Sequence, residues 1–413
     1  MSAGSSSGAA LTSWRRGRVP ASLSVSALVC LWLLESSALA APCENIGDSV
    51  IITGSSAVEP ILAELGQLLS VPTESSDGLR IYYQGAGSCT GVRAVLEPAT
   101  FQPQTLYYWD ATGSRIECEV TTGDPLDARI GVSDVFPASC AALPNGLPTN
   151  VVDFQGPVQA MMFVVPKASS EVTLSAEAAY FIYGFGSASG LAPWTDESVI
   201  LRRNAESGTQ SMIAAAIGVP ASRWKGTETS GTSALLEALL VAGSGRADSA
   251  IGILSAGAAD ENRATLTTLA YQDAGQACAV LPDRTAQSNE KENVRTGKYP
   301  IWGPLHFLTH VDTNRRPTSA RVETVISFLL GTSAPLPGLD LIQLEAAQHI
   351  VPQCAMRVTR SYEAGPLEPH APAQPCGCYY EAAANGSSDC EPCVATRDCG
   401  ENSVCSYGYC EAL

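Results

Sequence analysis

Apolar stretches of strand length in this chain keep ending in turns of glycine and small hydroxyl residues, and helix-patterned runs follow them. No other feature constrains the fold as much. Ser49-Val-Ile-Ile-Thr53 reads as a short strand, and Ala57 to Leu69 places Val58, Ile61, Leu62, Leu65 and Leu69 on one helical face. Arg80-Ile-Tyr-Tyr-Gln84 is a second strand, and Gly91 to Leu96 opens a second helix. Ile130-Gly-Val-Ser133, Ala160 to Val165, Val199 to Leu201 and Ala250 to Leu254 read as further strands. Strand, turn and helix in repetition predict an α/β fold with helices flanking the sheets.

Four of the turns carry chemistry. Thr53-Gly-Ser-Ser56 and Gly85-Ala-Gly-Ser88 precede the first two helices, Ser133-Asp134 follows the strand at 130, and Ser207-Gly-Thr209 precedes a helix at 210–217. In α/β folds ligands sit at the carboxyl ends of strands. A helix start there offers free N–H groups and a partial positive charge to an anion. Each such Ser or Thr taken singly is equally an ordinary N-cap, and a lone Arg203 is equally a salt-bridge residue. It is the conjunction of four donor turns and one arginine that points to an oxyanion.

Charge and cysteine placement narrow the setting. A formal net charge of −17 over 413 residues, with no basic stripe, argues against nucleic acid. Arg15, Arg16 and Arg18, an apolar run from Leu23 to Leu34 and Ala38-Leu39-Ala40 spell a secretory signal peptide over residues 1–40, too short to span a membrane. Its cleavage near Ala40 leaves a chain of net charge −19 with 13 of the 14 cysteines. In an oxidising compartment most of these pair, and the odd count predicts a free or intermolecular thiol. Seven cysteines crowd into residues 376–413, behind a Pro-rich stretch at 359–375 that reads as a semi-rigid linker. The spacings in this tail could suit zinc, but export and scarce histidine favour a disulfide knot.

Taken in order, Gly54-Ser-Ser-Ala-Val-Glu-Pro60, Tyr83-Gln-Gly-Ala-Gly-Ser88, Ile130-Gly-Val-Ser-Asp134 and Arg203 followed by Ser207-Gly-Thr209 resemble PstS-type phosphate-binding proteins of ABC transporters. Ala250 to Leu254 and Lys298-Tyr-Pro-Ile-Trp-Gly-Pro304 match later landmarks of that family, and the resemblance spans roughly residues 48–335. It implies the two-lobed type 2 periplasmic binding protein fold, here with a small Cys-rich module added at the C-terminus. Residues 41–165 and 300–358 would form lobe I and 166–299 lobe II, with 359–375 the linker and 376–413 the disulfide module. It also implies inorganic phosphate as ligand, an ABC permease as partner, no cofactor or metal, no enzymatic activity, and a periplasmic or cell-surface location. Ser56, the Ala57 amide and Ser88 would donate from lobe I; Arg203, Ser207, the Gly208 amide and Thr209 from lobe II. Asp134 would accept the proton that phosphate carries and sulfate lacks.

The match has departures. The family's Asp two residues after the binding arginine is Ala205 here, and Glu206 lies beside Ser207. Glu206 either takes over the orienting role or weakens anion affinity, and Arg202 is the alternative ligand if the register slips by one. Residues 98–127, with Tyr107-Tyr-Trp-Asp110, are an insertion expected to form a small extra subdomain. His306 and His310 have a metal-helix spacing, but their surroundings favour a strand, which would hold them about 13 Å apart. The rival reading is a surface or sensory module of the same fold, binding another oxyanion or a protein partner through the Cys-rich tail.

Overall fold

The computed structural model describes residues 41–72, 78–127, 129–333 and 336–412. The signal peptide expected at 1–40 lies outside the described residues. The expected α/β architecture is observed. Val50–Gly54 is buried along its whole length and runs parallel to both Ile81–Gln84 and Arg129–Ser133. Its β-branched residues suit a strand covered on both faces. Next to Arg129–Ser133 lies Trp302–His310, antiparallel to it and to Val151–Pro166.

Val151–Pro166 is sixteen residues long and organises the molecule. Its first part pairs with Trp302–His310, and its last part pairs with Gly252–Ser255 and Leu266–Thr268. Two cores lie along it. The first gathers Val50, Ile52, Leu62, Leu65, Ile130, Val132, Leu305 and Phe307. The second gathers Met161 to Val165, Ile182, Ile213, Leu235, Ile253, Ile301 and Trp302. Trp302–His310 thus serves the second core at its start and the first core further along.

Residues 98–127 do not form the separate subdomain expected of them. Thr105–Trp109 pairs with Ile81–Gln84, and Arg115–Glu119 pairs with Thr105–Trp109, so the insertion extends the main sheet. Tyr107 and Trp109 belong to the first core, stacked about Tyr83, and Gly66 on the helix Glu59–Ser70 gives Trp109 its room. Alternating apolar residues on a strand edge bury more area against a neighbouring sheet than they could in a small independent unit.

The C-terminal region is likewise tied to the body. Disulfides join Cys378 to Cys390, Cys393 to Cys405 and Cys399 to Cys410 within the tail, while Cys354–Cys376 anchors its start. Cys43–Cys118 and Cys89–Cys140 are the others, leaving exposed Cys278 as the free cysteine among the described residues. Cys376 and Tyr380 are members of the second core, and the helix Gly377–Asn385 packs on Leu341–Ala347. Arg284 reaches Glu381 at 2.9 Å and Asp389 at 3.3 Å. The stretch 359–375, expected as a linker, is not a free spacer: Val358–Thr359 pairs with Glu368–Pro369, and Arg360 is buried.

Among the described residues no helix is long and apolar enough to cross a membrane. Replacing Tyr380, which is fully buried, tests how far the tail belongs to the body. Tyr380→Ala is expected to cost about 3–5 kcal/mol in a guanidinium unfolding titration, the range for deleting a large buried aromatic. A loss within about 0.5 kcal/mol would mean that the tail is an appendage.

Candidate functional site

The four turns meet. A cleft of about 330 Å³ is lined by Ser56, Ala57, Ser88, Asp134, Arg203, Ser207, Gly208 and Thr209, every one of the residues singled out from the sequence. Backbone geometry brings them together. Gly54 has φ +135°, and a Cβ there would lie 1.9 Å from the Val132 carbonyl oxygen, so only glycine lets the first turn pass over the strand at 129–133. Cys89 N–H donates to the Glu206 carbonyl at 3.2 Å, joining the turn at 85–88 to the one at 203–209.

The ordinary N-cap explanation fails for most of these turns. Helices Ser88–Leu96, Gly208–Ile217 and Thr232–Gly243 all begin at this cleft, and none has a side-chain cap. Ser207 occupies the N-cap position with its hydroxyl unused by the helix. Three helix N-termini without side-chain caps therefore contribute N–H groups and partial positive charge to one space. Only the first turn is capped conventionally, by Ser55, whose Oγ accepts from Ala57 N–H at 3.1 Å. The Ala57 amide is thereby engaged, and Ser56 is exposed at the rim.

Asp134 is the buried acceptor. Its Oδ1 accepts from Ser55 Oγ at 2.6 Å and its Oδ2 from Ser88 Oγ at 3.0 Å, while its own N–H donates to Ser88 Oγ at 3.1 Å. Burial pushes its carboxyl above the usual range, against the pull of those hydroxyls and of Arg203. Gly208 lies hard against this group. A Cβ there would stand 2.2 Å from Ser88 Oγ and 2.6 Å from Asp134 Oδ2, so no larger residue fits.

Arg203 is largely buried, and burial lowers its pKa while Asp134 raises it. Its Nη1 donates to Thr232 Oγ1 at 3.0 Å, and its buried Nε has no partner. Arg202 turns away to Glu228 at 2.6 Å, so it is no substitute ligand. Of the two roles open to Glu206, orienting Arg203 is not seen. Its carboxylate pairs with Arg93, which neutralises it beside the cleft.

Sequence reasoning missed several lining residues. The turn Ser230-Gly-Thr-Ser233 is of the same kind as the other four and precedes Ala-Leu-Leu, so it could have been found; it supplies Thr232. Gln159 was also legible, as the one polar side chain in the apolar run from Pro157 to Pro166. Ser55 rather than Ser56 reaches Asp134, a choice between neighbours that spacing alone does not make.

No protein-family model matches the chain, and no curated protein matches it. Solved structures do. A phosphate ABC transporter substrate-binding protein with bound phosphate from Clostridium perfringens matches 74% of this chain over 99% of its own length, at 14% identity and TM-score 0.49. An ABC-type phosphate transport receptor from Vibrio cholerae matches over the same shares at 14% identity and TM-score 0.47. The high affinity periplasmic phosphate-binding protein PfluDING, bound with phosphate, covers 74% of this chain and 90% of its own at 14% identity and TM-score 0.46. Likeness at this level carries no argument about what the present chain binds.

Asp134 offers a direct test of the electrostatics. A carboxyl whose pKa rises on folding costs stability progressively as pH climbs from its unfolded value near 4 through the raised folded value. Asp134→Asn is therefore expected to raise the unfolding midpoint of the ligand-free protein at neutral pH, with the gain vanishing below about pH 4. A lowered midpoint at neutral pH would show that the hydroxyls and Arg203 outweigh burial.

Proposed function

We propose that this protein is an extracytoplasmic solute-binding protein that captures inorganic phosphate in the cleft and delivers it to an ABC permease. The observation that carries this reading is the convergence of three helix N-termini lacking side-chain caps on one cleft beside Arg203, whose Nε is unpartnered. Such a set of donors satisfies a tetrahedral oxyanion from several directions. In this reading Ser56, the Ser88 amide, Arg203, Ser207, Gly208 and Thr209 contribute donors, with Thr232 holding the guanidinium. Residues 41–165 and 300–358 close against 166–299 as two lobes.

Asp134 supplies the discrimination. Phosphate near neutral pH bears a proton that the carboxylate accepts, whereas sulfate brings only lone pairs against a buried negative charge. Overall acidity does not oppose capture. At physiological salt distant carboxylates are screened over about 8 Å, and Glu206, the nearest addition to the family pattern, is paired with Arg93. The six disulfides suit an oxidising, extracytoplasmic setting. The signal peptide at 1–40 is part of this proposal, as are the permease and the absence of enzymatic turnover.

Isothermal titration with phosphate, with sulfate as control, tests the reading. Micromolar or tighter phosphate binding, no heat with sulfate, and a narrowed preference in Asp134→Asn are expected. Silence toward phosphate from folded protein would overturn it, and would turn attention to another oxyanion.

A further inference from the structure

Below the cleft lies a group of buried polar atoms without partners. Gln159 is 1% exposed and lines the cleft, yet its Oε1 has no hydrogen-bond partner. The same holds for Glu363 Oε1, His306 Nε2 and Arg360 Nε. None of the four residues has a place in the donor set described above. Buried polar atoms are costly to leave unpaired, so a concentration of them at a binding cleft points to contacts that a ligand or a change of protonation completes.

Register places them together. Gln159 stands opposite Gly303 in the antiparallel pair, so the two share a side of the sheet with Cβ positions about 5 Å apart. A Cβ on Gly303 would lie 3.4 Å from the Asp134 carbonyl oxygen and 3.8 Å from Glu363 Oε1. Gln159 thus lines the cleft from the side of the sheet on which Met212, Asp134 and Glu363 lie against Gly303. The other Glu363 oxygen accepts from Phe136 N–H at 3.2 Å. Charged groups that face this carboxyl are Asp134, Arg360, and His306, whose Nδ1 pairs with Asp153 Oδ2 at 2.7 Å on the long strand. Arg360 is stacked 4.0 Å over the Trp302 ring.

We propose that the Gln159 side-chain amide is a further contact for the bound anion, reaching it from the cleft floor, and that a neutral Glu363 carboxyl orients the amide by donating to Oε1. The inference rests on the phosphate reading above. One O–H from Glu363 satisfies both orphaned oxygens. The amide N–H groups then turn to the cleft, where they add neutral donors to those of the helix starts and Arg203. Burial, against the Phe136 N–H, His306 and Arg360, pushes the Glu363 carboxyl up to about 7. Ionisation above that point removes the donor and sets a second carboxylate behind Asp134, so affinity falls as pH rises through neutrality. Glu363 acts through Gln159 and is a positioning residue.

The test is titration with inorganic phosphate at about pH 6 and about pH 8, on either side of the Glu363 range. Gln159→Leu is expected to weaken binding at least about tenfold, as loss of a hydrogen bond to a charged ligand does. Glu363→Gln, whose amide donates at any pH, is expected to match the wild type at the lower pH and to bind several-fold more tightly at the higher. Comparing the two proteins at each pH cancels the titration of phosphate itself, and a merely structural role for Glu363 would not move that ratio with pH. If Gln159→Leu does not fold, the Glu363→Gln ratio decides alone. Wild-type affinity in Gln159→Leu, or a pH-independent ratio, overturns this inference and leaves the phosphate reading standing. A wild-type protein silent toward phosphate overturns both.

Discussion

Everything in this molecule hangs on the hydrogen-bonded ladder between Val151–Pro166 and Trp302–His310. A backbone buried this deeply must find partners for each N–H and C=O. The long strand finds them in one sheet partner at its start and in two others at its end. Because its partner Trp302–His310 belongs to both cores, the turns that end neighbouring strands arrive over one cleft. Asp134 follows the strand beside Trp302–His310, and Gln159 lies on the long strand itself, so the acceptor and the cleft floor share a frame.

In the proposed reading, an acidic protein holds an anion without a basic surface. One guanidinium and three helix starts supply fixed positive potential at a cleft backed by buried protein, where dipoles act more strongly than in bulk. Two of the negative groups close to it are partnered. Glu206 is paired with Arg93, and Asp134 is bonded by two serine hydroxyls. Gly208 sets how closely the opposing walls approach, since the space a side chain would need is filled by Ser88 and Asp134.

Much of this was legible in the sequence for local reasons. Val50–Gly54, Ile81–Gln84 and Arg129–Ser133 are runs of β-branched and aromatic residues bounded by glycine, and such runs announce themselves. The turns could be found because small donors before apolar runs are unusual in that number. What stayed hidden depends on partners distant in the chain. Tyr107 and Trp109 look like a detached aromatic cluster until the edge of the sheet is known to accept them. The prolines at 359–375 read as a spacer because nothing local reveals that Glu363 bonds to Phe136. Nor does spacing tell Ser55 from Ser56, since a single residue of register at the turn selects which one faces Asp134.

The placement of Cys376 and Tyr380 in the second core has a consequence for biogenesis. That core also holds Met161 to Val165, so its members are separated by more than half the chain. A ribosome releases Tyr380 only after more than half of these 413 residues have followed Met161. The first core draws on residues no later than Ile350 among its buried members and can consolidate earlier. Maturation of this protein is thus ordered in time: the half that carries Arg203 and Ser207 waits for Cys376 and Tyr380 to arrive, and a nascent chain interrupted before them would hold one finished core and one left open.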